Sequence, residues 1–180
     1  MKKLSVKPKN WLLSLHVISG GIWLGTVVCL MGSAILNRDT PNGDGLYAIN
    51  LVLKFMDDWI IIPSAMLSLL TGGLLCWLTI WGFTKHYWVI VKWVATLTLI
   101  TTGTIWLGPW LNAMTAISEV EKSQVLHSQL YVVNQRGVII GGLIQTSCLL
   151  AIMVISVIKP WGRRVIKQIK ETQEAVSQNN

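Results

Sequence analysis

Charged residues are scarce in this sequence, and their scarcity excludes an ordinary soluble domain. Only 13% of the 180 residues are charged, whereas 52% are hydrophobic. The three cysteines, Cys29, Cys76 and Cys148, all fall inside apolar runs, so we expect no structural disulfide. No cysteine or histidine spacing typical of a metal site, no phosphate-binding glycine loop and no nucleophile elbow is present. The chemistries that depend on those motifs have no support.

Four long apolar runs dominate the chain instead. They cover approximately residues 11–36, 59–83, 87–111 and 137–158. About 20 apolar residues suffice to cross the ~30 Å hydrocarbon core of a bilayer. Because the runs are continuous and lack the alternation of a barrel strand, helices are favoured. The sequence predicts an all-α fold, with residues 1–180 forming a single integral membrane domain built as a four-helix bundle.

The distribution of basic residues predicts the topology of this bundle. Ten of the 15 Lys and Arg residues lie in the N-terminal arm, at Lys85 between the second and third runs, or in the tail 159–180. The loops 37–58 and 112–136 hold only four. The positive-inside rule then places both termini in the cytoplasm, and we expect a multi-pass protein of the bacterial inner membrane. This distribution explains the net charge of +7 through contact with the lipid bilayer, with no nucleic-acid partner.

Local signals refine the boundaries of the predicted spans. Residues 46–58 have near-helical apolar spacing, which suits a short surface helix or an ordinary loop equally well. Asp57 and Asp58 are predicted to cap the second span, with Pro63 in its first turns. The third span is predicted to end near Gly108-Pro109-Trp110. Five tryptophans are assigned to an interfacial belt: Trp11, Trp59, Trp88, Trp110 and Trp161.

Small residues at helical spacing predict where helices pack closely. The second span carries a stripe of small and polar residues, Ser64, Ser68 and Thr71, beside Gly72. Two G-x-x-x-G motifs occur, at Gly21/Gly25 in the first span and at Gly137/Gly141 in the fourth. Each of these three features is typical of a helix face that contacts a neighbouring helix.

His16 is the most informative residue, because it is titratable and lies inside the first apolar run. Ionisable groups within a span are functional candidates. Lys92 lies about as far into the third run, so the two side chains are expected at the same depth. Gly20 and Trp23 share the helix face of His16, and the glycine leaves room for a flat ligand. We therefore predict a site between the first and third helices near the cytoplasmic face.

Several roles for these residues stay open. His16 suits a neutral imidazole bonded to a neighbouring helix, a haem or other cofactor ligand, or a proton relay. Lys92 suits snorkelling to the headgroups, pairing with an anion such as a haem propionate or a substrate carboxylate, or proton transfer. His86 is read as a surface histidine, with ligation as the alternative, and His127 as a surface residue on the opposite side of the membrane.

Certain residues resemble known membrane families. Leu15-His16-x6-Trp23-x-Gly25, Ile62-Pro63 and His86-Tyr87-Trp88-Val89-x-x-Lys92 look like a family of bacterial integral membrane proteins related to the membrane domain of CopD copper-resistance proteins. The order of a first-helix histidine, a second-helix proline and glycine, and a Trp-x3-Lys in the third is also similar to the HemJ-type protoporphyrinogen oxidases. That resemblance implies four helices, b-type haem and functional roles for His16 and Lys92. The second haem-associated histidine of that family has no clear counterpart.

The leading functional hypothesis is therefore binding of b-type haem or a related porphyrin, in a redox or haem-handling role. His16 is the predicted metal ligand, and Lys92, Gly20, Trp23 and His86 are the other predicted cofactor-binding residues. A non-catalytic accessory or scaffold subunit, either homo-oligomeric or bound to a membrane partner, is the alternative. A small transporter ranks lower, because four helices would need to oligomerise to provide a path.

Overall fold

The computed structural model describes residues 4–36, 43–79 and 81–161. The predictions made for the first lysines, for the turn before Gly43 and for most of the tail 159–180 lie outside these residues. Within them the chain forms helices and no strands. The α-helices are α1 (Val6–Leu36), α2 (Gly43–Met56), α3 (Ile62–Leu78), α4 (Tyr87–Thr102), α5 (Gly108–Glu121) and α6 (Gln129–Ile158).

These elements assemble into four long helices, which confirms the predicted all-α membrane architecture. The long helices are Val6–Leu36, Gly43–Leu78, Tyr87–Glu121 and Gln129–Ile158, and each is long and apolar enough to cross a membrane. The second contains 36 residues. At 1.5 Å per residue it measures about 54 Å, well beyond the ~30 Å hydrocarbon core. The described parts of the predicted loops, residues 43–58 and 112–136, are therefore largely helical extensions of the spans.

The second long helix runs through the point where the sequence predicts its start. Pro63 lies inside Gly43–Leu78, and a π-helical turn, Asp57–Ile61, precedes it. The Ile62 N–H donates to the Asp57 carbonyl oxygen, five residues back. Proline has no N–H and its ring crowds the preceding turn, so the wider π turn keeps the helix continuous at this point.

The prediction that Asp57 and Asp58 cap a helix is wrong, because the chain ahead of them is already helical. Asp58 instead accepts a 2.7 Å hydrogen bond from Lys54 Nζ, and Lys54 also bonds Asn112 Oδ1 on α5. The ion pair lies within the second long helix, and the hydrogen bond from Lys54 to Asn112 joins this helix to the third. Residues 46–58 are accordingly neither a separate surface helix nor a loop.

The third long helix also has a π-helical turn ahead of a proline. Pro109 follows a π-helical turn, Gly103–Leu107, and the Gly108 N–H donates to the Gly103 carbonyl oxygen. The helix continues to Glu121, so the predicted end near Gly108-Pro109-Trp110 is wrong. A Cβ placed on Gly108 would lie 3.6 Å from Asp57 Oδ2, which shows that the two π turns are neighbours in the bundle.

The bundle has two ends of different character. We call the end that carries Leu4, the 79–86 hairpin and Lys159 the terminus end, and the end that carries the Lys122–His127 turn the loop end. Toward the loop end α2 packs on α5 over the larger hydrophobic core, whereas toward the terminus end α3 and α4 stand further apart. α1 packs on α3 and α6 along one side, and α6 also contacts α4 and α5.

Glycines of α6 confirm one predicted packing motif. A Cβ on Gly137 would come within 2.8 Å of the Trp110 ring, and one on Gly141 within 3.2 Å of Leu107. By contrast, Cβ atoms on Gly21 and Gly25 of α1 would meet nothing within 4 Å among the described residues. The same sequence motif thus marks a helix contact on α6 and an exposed face on α1.

Two of the five tryptophans assigned to the interfacial belt are packed inside the bundle. Trp88 is buried between α3 and α4 with Cys76 and Val89. Trp110 covers Gly137. Trp11, Trp59 and Trp161 are exposed, as a belt requires.

A buried polar cluster holds the loop end together. Asn50 Nδ2 on α2 donates to Ser118 Oγ on α5 and to Tyr131 Oη on α6, each at 3.1 Å. Thr115 Oγ1 donates to the Leu111 carbonyl oxygen of its own helix at 2.9 Å. Asn50, Ser118 and Tyr131 are at most 2% exposed. Buried polar groups of this kind stabilise a fold only while each keeps its partners.

We expect the substitution Tyr131→Phe to lower the free energy of unfolding by about 1 to 3 kcal/mol, because it leaves the buried Asn50 amide short of a partner. Tyr47→Phe is the matched control: Tyr47 is half-buried and makes no hydroxyl hydrogen bond among the described residues, so its loss is expected to cost less than about 0.5 kcal/mol. Reversible unfolding in detergent micelles measures both. Equal losses in the two variants would contradict this role of the cluster.

Candidate functional site

A cavity of about 410 Å³ lies toward the terminus end of the bundle. All four long helices contribute to its wall, and it occupies the space where α3 and α4 diverge. Its volume is within the range of small-molecule and cofactor pockets, about 300 to 1,000 Å³. The wall is mostly apolar, with a few polar side chains. Those that the sequence predicts as site residues are His16, Gly20, Trp23 and Lys92.

The imidazole of His16 is held by α3. Its Nδ1 lies 3.0 Å from the Ser68 carbonyl oxygen and 3.1 Å from Thr71 Oγ1. The Thr71 hydroxyl donates to the Leu67 carbonyl oxygen at 2.7 Å, so its lone pairs are free to face the imidazole. With two acceptors beside it, Nδ1 is assigned as the protonated nitrogen.

This assignment makes Nε2 the basic nitrogen of His16. Nε2 has no hydrogen-bond partner among the described residues, while the ring lines the cavity. A histidine whose Nδ1–H donates to a backbone carbonyl, leaving Nε2 unprotonated, is arranged as metal-ligating histidines usually are. The same arrangement also fits the first predicted role of His16, a neutral imidazole hydrogen-bonded to a neighbouring helix.

Gly72 allows the imidazole to approach α3 closely. A Cβ at this position would lie 3.1 Å from His16 Cε1. The stripe of small residues predicted from the sequence is confirmed, because Ser64, Ser68 and Thr71 are all buried and α3 packs on α1. One turn of this stripe therefore positions His16 in three ways. Ser68 offers a carbonyl oxygen, Thr71 offers a hydroxyl, and Gly72 leaves space for the ring.

Two lysines line the terminus end of the cavity. Lys92 Nζ lies 6.0 Å from the centre of the Trp88 ring, and Lys159 Nζ lies 5.8 Å from it. Lys159 is also 5.5 Å from the Trp81 ring. Cation–π attraction of this kind contributes about 0.5 to 1 kcal/mol where the pair is exposed. Within the part of the chain that the structure describes, no carboxylate lines the cavity, so these residues make the site cationic.

Trp23 and Trp93 form aromatic parts of the wall. Trp23 is 2% exposed, and its Nε1–H has no partner among the described residues and is closed off from the cavity. Trp93 Nε1 donates to Cys76 Sγ at 3.4 Å across the gap between α3 and α4, and its ring covers Gly73. Trp93 thus bridges two helices whose backbones are not closely packed.

His86 lies outside the cavity, although the sequence counts it among the possible ligands. Its Nδ1 lies 2.9 Å from the Trp81 carbonyl oxygen, and it stands at the N-cap of α4 in the hairpin. His127 is exposed at the opposite, loop end. Among the described residues, no group of three or more His, Cys, Asp or Glu is placed to hold a metal ion.

Sequence reasoning assigned two residues of the wall to other roles. Lys159 is assigned to the basic tail and Trp88 to the interfacial belt, yet both line the cavity. The predicted end of the fourth span near residue 158 is the one signal in the sequence that places Lys159 near the depth of Lys92.

Comparisons with known proteins found no match to this chain among family models, curated proteins or solved structures.

We expect Gly72→Ala to displace the His16 imidazole, because the new methyl group would press on Cε1 at 3.1 Å. Gly73→Ala is the matched control one residue along, since its Cβ would meet Trp93 at an ordinary 3.6 Å. Nitrogen NMR of protein labelled at histidine reports the protonation and hydrogen bonding of each ring nitrogen. The His16 signals are expected to change in Gly72→Ala and to stay in place in Gly73→Ala. Unchanged signals in both would mean that Gly72 does not position the ring.

Proposed function

We propose that the cavity binds b-type haem or a related porphyrin, with His16 Nε2 as an iron ligand, and that the protein has a redox or haem-handling role. The observation that carries this proposal is the 3.0 Å contact between His16 Nδ1 and the Ser68 carbonyl oxygen. That contact leaves Nε2 as a free base on a ring that lines an apolar cavity. A haem held in this way supplies one-electron chemistry.

The remaining wall fits a flat, largely apolar molecule with acidic groups. Gly20 and Gly72 keep side chains away from the region around His16, and the Trp23 ring provides an aromatic surface. Lys92 supplies positive charge toward the terminus end, where an acidic substituent of the ligand would be placed. The protein's own tasks are thus to hold the ring nitrogen in one tautomer, to exclude water and to pair an acidic group.

Orientation in the membrane belongs to the same proposal. The described cations at the terminus end include Lys7, Lys9, Lys85 and Lys159. Under the positive-inside rule this end faces the cytoplasm of a bacterial inner membrane. The cavity then lies close to the cytoplasmic face.

An accessory subunit is the second candidate, and one observation favours it. Gly21 and Gly25 form an exposed small-residue face on α1 that contacts nothing within this chain's described residues. In membranes such a face suits close approach of another helix, from a second copy or a partner subunit. A colourless protein that copurifies with a fixed partner would favour this function over haem binding.

The first experiment is the absorption spectrum of detergent-purified protein, oxidised and then reduced with dithionite. We expect a Soret band with reduced b-type features in the wild type. His16→Gly is expected to lose the band and to regain part of it when free imidazole is added, because imidazole replaces the missing ligand. His86→Gly is the matched control and keeps the band, since His86 lies outside the cavity. A wild type that stays colourless when haem is supplied during expression would overturn the proposal.

A second prediction concerns the hydroxyl beside His16. Thr71→Val removes an acceptor at 3.1 Å from Nδ1 while keeping the shape of the side chain. Loss of a group that orients a metal-ligating histidine typically lowers metal affinity by about 10- to 100-fold. Thr101→Val is the control, because Thr101 is exposed and bonds only the Leu97 carbonyl oxygen of its own helix. Haem titration in detergent compares the two, and equal affinities would show that Thr71 has no part in the site.

A further inference from the structure

We propose that Lys92 and Lys159, with the Trp88 ring beside both, form an anion site that binds the two carboxylates of the ligand in the cavity. The inference rests on the proposed function, since a porphyrin with two propionates is the ligand it assigns. It adds a second charged residue, Lys159, to Lys92. It also predicts that the protein prefers a porphyrin with free carboxylates to its ester, which iron ligation alone would not produce.

The first support is the convergence of the two side chains. Lys92 belongs to α4 and Lys159 follows the last residue of α6. Their Nζ atoms lie 6.0 Å and 5.8 Å from the same Trp88 ring centre. Trp81 stands edge-on to Trp88, with ring centres 6.0 Å apart, and approaches Lys159 as well. Two cations from distant parts of the sequence therefore approach the same Trp88 ring at one end of the cavity.

The second support is that these cations have no anionic partner among the described residues. No Asp or Glu of residues 4–36, 43–79 or 81–161 lines the cavity, and the salt bridges seen there, Lys54–Asp58 and Lys122–Asp44, lie elsewhere. Two ammonium groups near each other in a partly dehydrated site repel one another and lose hydration. Carboxylates from a bound ligand would offset both costs, since charge-assisted hydrogen bonds are stronger than neutral ones.

The third support is the backbone that delivers Lys159 to the cavity. Helix α6 ends at Ile158, and Lys159 adopts the left-handed conformation with φ 50° and ψ 56°. Its N–H donates to the Ile155 carbonyl oxygen at 2.9 Å, which closes the helix. Residues other than glycine rarely adopt this conformation. This turn redirects the chain at the terminus end, and the Lys159 side chain lines the cavity beside Trp88.

The chemistry required of the ligand follows from the site. An apolar, flat body fits the wall around His16, and two acidic groups at one edge fit the two ammonium groups. A porphyrin dicarboxylate has this form. The phosphate of a lipid headgroup shares the anionic oxygen chemistry, so the experiment must separate the two sources.

The test uses metal-free protoporphyrin and its dimethyl ester, titrated into full-length protein in an uncharged detergent. Neither probe contains iron, so binding does not depend on ligation by His16. Quenching of tryptophan fluorescence and the shift of the porphyrin absorption report binding. We expect the free acid to bind about five- to tenfold more tightly than the ester, as partly exposed charge pairs allow. Lys92→Gln and Lys159→Gln should each reduce this preference, and the double variant should abolish it.

Lys85→Gln is the matched control, because Lys85 lies in the adjacent hairpin and does not line the cavity. Equal binding of acid and ester to the wild type, or an equal loss of preference in Lys85→Gln, would overturn the inference. Competition by phosphatidylglycerol that depends on Lys92 and Lys159 would assign the site to a lipid phosphate and would also overturn it. A preference for the acid in a protein without a His16-dependent Soret band would support the anion site while removing haem ligation.

Discussion

The backbone hydrogen bonding of two membrane helices determines most of this structure. Within a bilayer, each unpaired amide or carbonyl group is costly, so a helix interrupted by proline must restore its bonding locally. Pro63 and Pro109 are both accommodated by a π turn just before them, closed by i to i−5 hydrogen bonds. The turns are neighbours, and they mark the level where the close packing of α2 on α5 gives way to the separation of α3 and α4. The cavity lies in that separation.

The geometry of His16 depends on a single turn of α3. Ser68, Thr71 and Gly72 act on the same imidazole through a carbonyl, a hydroxyl and the absence of a Cβ. None of the three is an unusual residue for a membrane helix. Their combined effect is to fix the tautomer and the plane of one ring. A local change in the rotation of α3 would remove all three effects together, which makes the α1–α3 contact as important to the site as the histidine itself.

The sequence could predict what depends on composition and spacing along one helix. The four apolar runs, the stripe through Ser68 and the presence of His16 and Lys92 in one site are of this kind. It could not predict the rotation of helices, which is set by packing. Gly21/Gly25 and Gly137/Gly141 have the same spacing, yet only the second pair contacts another helix. A proline costs least at a helix start, so the sequence places Pro63 there, although the helix runs through it. The sequence assigns Lys159 to a basic tail, because it does not show that this residue adopts a left-handed conformation.

The Trp93 side chain forms the wall of the cavity between α3 and α4. The neighbouring helices α3 and α4 are not closely packed at this level, and the indole spans the gap from α4 to Cys76 and Gly73. This part of the wall is therefore closed by one side chain and not by helix–helix packing. Rotamer changes are faster than collective helix motions by orders of magnitude. For the porphyrin proposed above, entry from the bilayer would then require a side-chain rotation and no aqueous path.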